Sequence, residues 1–186
     1  MRLHGLIAGL LALVLAGPAS AQAWGEFVSQ EDAFLVNFPG DPVKIEKPYK
    51  TAKGTDLTAH VYEAKAAPDS IFAGIYRMTV VDYAKAQGEI GTAVDEAAAT
   101  YRKMGEPKYD DRGNIDRIRS QRQTIDAADG SRIMTEILVE GGKLYIVEAN
   151  VSQKLPPPAQ FQASVQILGK DGNRIRYEQD GVTRVR

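Results

Sequence analysis

The feature that most limits the fold is a pair of stretches that are apolar on both sides of an extended strand. Over residues 71–81, Ile71, Ala73, Ile75 and Val81 share one parity, and Phe72, Tyr76, Met78 and Val80 the other. Over 143–151, Tyr145, Val147, Ala149 and Val151 face one way, with Leu144 and Ile146 opposite. Successive strand side chains point to opposite sides of a sheet. A strand apolar at both parities therefore belongs to a sheet covered on both faces. Residues 57–63 read differently: Leu57, Ala59 and Val61 alternate with Thr58, His60 and Tyr62, so one side is apolar and the other mixed.

Two amphipathic helices are available as covers. The first is predicted over 92–104, with Thr92 as N-cap, Asp95 and Glu96 in the first turn, and Val94, Ala98, Tyr101 and Met104 in its apolar stripe. Gly105 is expected at its C′ position, with Pro107 blocking extension. The second starts at the prolines of 156–158 and carries Phe161, Val165 and Leu168 at helical spacing up to Gly169. Asp129-Gly130 and Gly141-Gly142 read as tight turns joining strands 115–125, 132–140 and 143–151. The polar stretch 43–51, interrupted by Pro48, belongs at a sheet edge. A last hairpin joins 174–178 to 182–186. The expected fold is α+β: a mostly antiparallel twisted sheet covered by two helices, a layered αβα sandwich, with a terminal hairpin over 170–186.

Residues 1–23 read as a secretory signal peptide. Arg2 precedes an uncharged apolar run over 5–16, and two overlapping A-x-A sites close it at 19–21 and 21–23. The run is too short to span a bilayer. Removing it leaves residues 24–186 as one domain, with 22 basic and 24 acidic side chains. That balance gives no pull toward nucleic acid. No stretch of the remainder is long and apolar enough for a transmembrane helix. Cysteine is absent, which removes disulfides and the usual bacterial lipid anchor. The expected location is the periplasm, or the medium, as a soluble protein.

The opening Phe27, Phe34, Val36, Phe38, Pro39, Gly40 and Pro42, followed by strands, a mid-chain helix and a meander closed by a proline-started helix, resembles the Mog/PsbP-like group of envelope and photosystem-associated domains, including DcrB-like proteins. The resemblance spans about 24–169. It implies an adaptor, assembly or accessory module with an envelope partner, and it transfers no functional residue.

The chemistry-bearing residues are few. His60 is the sole histidine beyond residue 23, which excludes histidine clusters for a metal, and no glycine pattern cradles a nucleotide. No cofactor is expected. His60 itself reads as a half-exposed strand histidine. Glu31-Asp32 reads as a pair preceding a strand, and Asp110-Asp111, followed by Arg112-Gly113-Asn114, as a solvated turn. A carboxylate-dependent hydrolase built on Asp110 and Asp111 is the weakest reading, because no acid/base pair is visible. The arginines form the one suggestive distribution. Arg117 and Arg119 are expected on one strand face, as are Arg174 and Arg176, with Arg184 and Arg186 on another. Such a patch suits an anion or a glycan carboxylate, and equally a charged hairpin that discourages edge pairing. The leading expectation is a non-catalytic exported interaction module; the alternative is anion or glycan binding by these arginines.

Overall fold

The computed structural model describes residues 24–180 and 182–185; the expected export signal over 1–23 and Arg186 lie outside them. Seven antiparallel strands form the main sheet: β3 (Val43–Lys50), β4 (Asp56–Ala66), β5 (Gly74–Asp82), β6 (Gly105–Ile115), β7 (Ile118–Ala127), β8 (Ser131–Glu140) and β9 (Lys143–Ser152). Their order is β3-β4-β5-β9-β8-β7-β6. The chain leaves the sheet after β5, crosses one face through a 3₁₀ turn (Gln87–Thr92) and α1 (Ala93–Arg102), and re-enters at the far edge as β6. It then meanders back until β9 pairs with β5.

The two-sided strands lie at the centre of this sheet, as their pattern requires. From β9, Leu144 and Ile146 join the layer beneath α1, where they meet Ala97, Ala98 and Val81. Tyr145, Val147, Ala149 and Val151 enter the opposite layer, with Tyr62, Tyr76 and Met78. Gly141 and Gly142 make the β8–β9 turn with φ of 57° and 83°, the left-handed pair that a two-residue hairpin with matching twist demands.

The second cover differs from the expected helix. A three-stranded sheet of β1 (Gly25–Ser29), β2 (Phe34–Phe38) and β10 (Gln166–Ile167) lies there, together with α2, which runs only over Ala159–Ala163. Phe34, Val36 and Phe38 are all fully buried against the main sheet. Helical spacing of Phe161, Val165 and Leu168 is satisfied another way: α2 ends, Ser164 turns, and the chain extends to pair β10 with β2.

Other local expectations shift for readable reasons. Thr92 stands before α1, but its hydroxyl bonds to Glu96 and the Glu89 carbonyl, since the 3₁₀ turn already leads into the helix. Gly105 is not a helix cap. It opens β6, where a Cβ would strike the Asp126 carbonyl. Asp110 and Asp111 lie within β6 rather than in a turn; the reversal comes at Asp116 and Arg117, whose φ values are 51° and 68°. Ile71 lies before β5 and is 63% exposed. The terminal arms pair through Glu178 N to Thr183 O (2.7 Å) and Val185 N to Arg176 O (2.8 Å), as isolated bridges rather than strands.

Phe161 is fully buried and packs edge-on against Tyr76 at 5.1 Å between ring centroids. Phe161→Ala is expected to cost about 3–5 kcal/mol in urea unfolding, whereas Ile71→Ala stays within about 0.5 kcal/mol.

Candidate functional site

The main sheet extends past the tip of the β1–β2 hairpin, and the step between them is an open cleft of about 490 Å³. On the sheet side it is lined by Thr58, His60 and Val80, with Ala84, and the charged groups Asp56, Asp82 and Lys85 also line it. The inner wall is the hairpin turn, where Ala33 takes a φ of 58° and Asp32 points into the sheet.

Asp32 is only 4% exposed and is held by four groups from two strands. Its Oδ2 accepts from the Tyr62 hydroxyl at 2.7 Å and from His60 Nδ1 at 2.8 Å, both on β4. Its Oδ1 lies 3.5 Å from Lys143 Nζ, and its backbone carbonyl accepts from the Tyr145 hydroxyl at 3.1 Å, both from β9. Lys143 also donates to the Glu31 carbonyl at 2.8 Å, and Ser29 Oγ lies 3.0 Å from the Tyr62 hydroxyl. Register explains the convergence: residues directly opposite across antiparallel strands share a face, so His60 and Val80 form one row, and Asp82 and Lys143 the next.

Burial alone raises the Asp32 carboxyl, but the bonds from Tyr62 and His60 and the nearby positive charge of Lys143 outweigh it and leave it below its ordinary value. Burial pushes the Tyr62 hydroxyl up to about 12, so it stays a donor to the carboxylate. An ionised carboxylate only accepts, which assigns the shared proton to His60 Nδ1. Nε2 then faces outward, 3.8 Å from Glu46. The pair has the form of a carboxylate-oriented imidazole, yet the group opposite Nε2 is another acceptor and not a hydroxyl or thiol.

Half-exposure of His60 matches its sequence reading; its capture by a buried carboxylate does not follow from that reading. The signals were the polar pair Glu31-Asp32 between two strands and the placement of His60 beside Tyr62. Nothing in the sequence brings Lys143 to them without the topology.

The arginines are only partly brought together. Arg174 makes a two-pronged ion pair with Asp116, and Arg176 Nε lies 4.0 Å from the same carboxylate. Arg117 donates to the Tyr177 carbonyl at 3.0 Å, and Arg184 lies 4.0 Å from Asp171. The expected shared strand face of Arg117 and Arg119 does not form, because Arg117 sits in the β6–β7 turn while Arg119 lies in β7. Asp110 is occupied by Arg102 and Gln121, which tie the edge strand to α1 and to β7. Among the described residues no group of three or more His, Cys, Asp or Glu is disposed to hold a metal ion.

No family model and no curated protein matches the chain. Among solved structures the chain is similar to the solution structure of cyanobacterial PsbP (CyanoP) from Synechocystis sp. PCC 6803. The TM-score is 0.43 at 11% identity, covering 83% of this chain and 98% of that one. This touches the PsbP side of the resemblance seen in sequence, and no functional residue is transferred through it.

A carboxyl lowered in the folded state stabilises fully above its unfolded value near about 3.9 and loses that contribution as pH falls through the folded value. Asp32→Asn is therefore expected to cost about 1–3 kcal/mol at pH 7. The deficit relative to wild type should shrink as pH drops below about 4, read by urea unfolding at a series of pH values.

Proposed function

We propose that this protein is an exported accessory module that acts by binding at the cleft beside the β1–β2 turn and not by turning over a substrate. The observation that carries this reading is the saturation of Asp32. Its donors are the fold's own side chains, and they fasten the hairpin cover to β4 and β9. A dyad spent in this way orients His60, and the outward nitrogen meets the Glu46 carboxylate, an acceptor and not a group for it to activate. The cleft supplies what a binding site needs: a concave surface where Val80 and Ala84 lie among charged groups of both signs. The export signal read over 1–23 supports work in the bacterial envelope or outside the cell.

Binding by the arginines is the less supported reading, since Arg174 is already paired internally with Asp116. The test uses the full chain exported by its own leader, with a photo-crosslinking amino acid replacing Lys85 in the cleft or Lys154 beyond the other end of β9. A discrete adduct from position 85 and none from 154 is the expected result. Equal, diffuse crosslinking from both positions would count against a cleft partner. Hydrolysis of ester, glycan or peptide substrates that disappears in His60→Gln would overturn the non-catalytic reading.

A further inference from the structure

We infer that β3 is a self-pairing edge: two copies of the protein join there, antiparallel, with Ile45 of each copy on the two-fold axis. The main sheet ends in β3 on one side and β6 on the other. The two edges are built differently. β6 carries a register shift between Pro107 and Tyr109, and its Asp110 and Arg112 are tied by ion pairs to Arg102 and Asp95 of α1. β3 pairs with β4 in unbroken register over all eight residues and leaves Val43 66% and Ile45 39% exposed. A regular edge with exposed apolar side chains is a template for another strand.

Proline fixes which groups this edge offers. Pro48 has no N–H, so it suits a position whose nitrogen points away from β4. By the two-residue period of a strand, the N–H and C=O groups of Lys44 and Glu46 then point outward too. Pro42 and Pro48 bracket the free segment rather than interrupt it. Placing Ile45 opposite Ile45 of the second copy sets Lys44 against Glu46 twice, giving four backbone hydrogen bonds and two opposite-charge pairs. The same register sets Pro42 against Pro48, so the pairing stops where both strands run out of donors.

Within this register Ile45 meets itself in a pair that is not hydrogen-bonded, where Cα atoms approach to about 4.5 Å and side chains lie closest. Lys44 already bonds to Glu31 at 2.7 Å, so Glu46 of the second copy adds a second carboxylate to that ammonium. A lysine-bearing edge usually repels other strands; here the alternation of Lys44 and Glu46 makes it complementary to itself alone. The contact spans five residues per copy. An interface of that extent belongs with weak, concentration-dependent associations.

Cysteine is absent from the chain, so single-cysteine variants give a clean readout. Under mild oxidant, Ile45→Cys is expected to form a disulfide dimer at least about tenfold faster than Val43→Cys or Lys47→Cys alone. An equal mixture of Val43→Cys and Lys47→Cys should crosslink faster than either by itself, because 43 faces 47 across the axis. Sedimentation equilibrium of the mature wild-type chain should show self-association that Ile45→Asp weakens at least about tenfold. A monomer at every concentration with no Ile45→Cys crosslink, or equal rates from all three cysteine positions, would overturn the proposal. Unfolding curves for each variant separate loss of pairing from loss of fold.

Discussion

A sheet that is apolar on both faces has to be covered twice, and this chain covers it with two unlike pieces. Each exposed apolar square ångström left in water costs about 25 cal/mol, so uncovered central strands would lose several kcal/mol per face. α1 supplies one cover with small residues: Ala93, Ala97 and Ala98 let its backbone come close to the sheet, and Tyr101 reaches out to Glu148 at 2.6 Å. The other cover is aromatic. Phe34, Phe38 and Phe161 interlock with Tyr62 and Tyr76 in edge-on and tilted contacts, which favour this packing beyond area alone. A helix of five residues has too little surface to cover that face, and the β1–β2 hairpin makes up the difference.

Asp32 explains how so small a hairpin stays in place. Five-residue strands paired two at a time are marginal in water. Phe34 and Phe38 anchor its body, while the turn is anchored by a carboxylate that takes bonds from β4 and ion pairing from β9. Removing one donor would leave a buried charge poorly compensated, and that asymmetry makes the clasp specific to one seating of the hairpin. His60 is thereby both a fastener and part of the cleft's lining.

Where one residue's environment is decided by its own strand, the sequence was legible. The division of β9 into two apolar faces, the Gly141-Gly142 turn and the edge position of 43–50 all follow from period and backbone chemistry. Where a choice depends on what lies opposite, it was not. Phe161, Val165 and Leu168 fit a helix and also fit a short helix, a turn and a strand. Asp110 and Asp111 have turn composition, yet the β7 strand supplies Gln123 and Arg122 opposite them, and two left-handed residues at 116 and 117 make the reversal instead. Asp32, His60 and Lys143 lie on three separate stretches, and only the β4-β5-β9 order brings them within one cleft.

The same mismatch that forces an improvised cover also leaves the step at which binding is proposed. The three-stranded sheet is narrower and shorter than the seven-stranded one beneath it, so it leaves a step at the hairpin tip and, between this cover and the terminal segment whose Ile175 and Tyr177 pack at the β6–β7 turn, a barer stretch of β7 and β8. On that bare side the chain replaces apolar groups with polar ones: Arg122 covers the fully buried Glu136, and Ser120 bonds the same carboxylate. Those groups satisfy each other and present a solvated face. At the hairpin tip Val80 and Ala84 interrupt the charged lining with apolar groups, so water beside them has fewer partners to keep. A partner with apolar surface and a charged margin would gain more by displacing that water than by displacing the shell over Arg122, and binding as proposed at the step, not on the open face, draws on that difference.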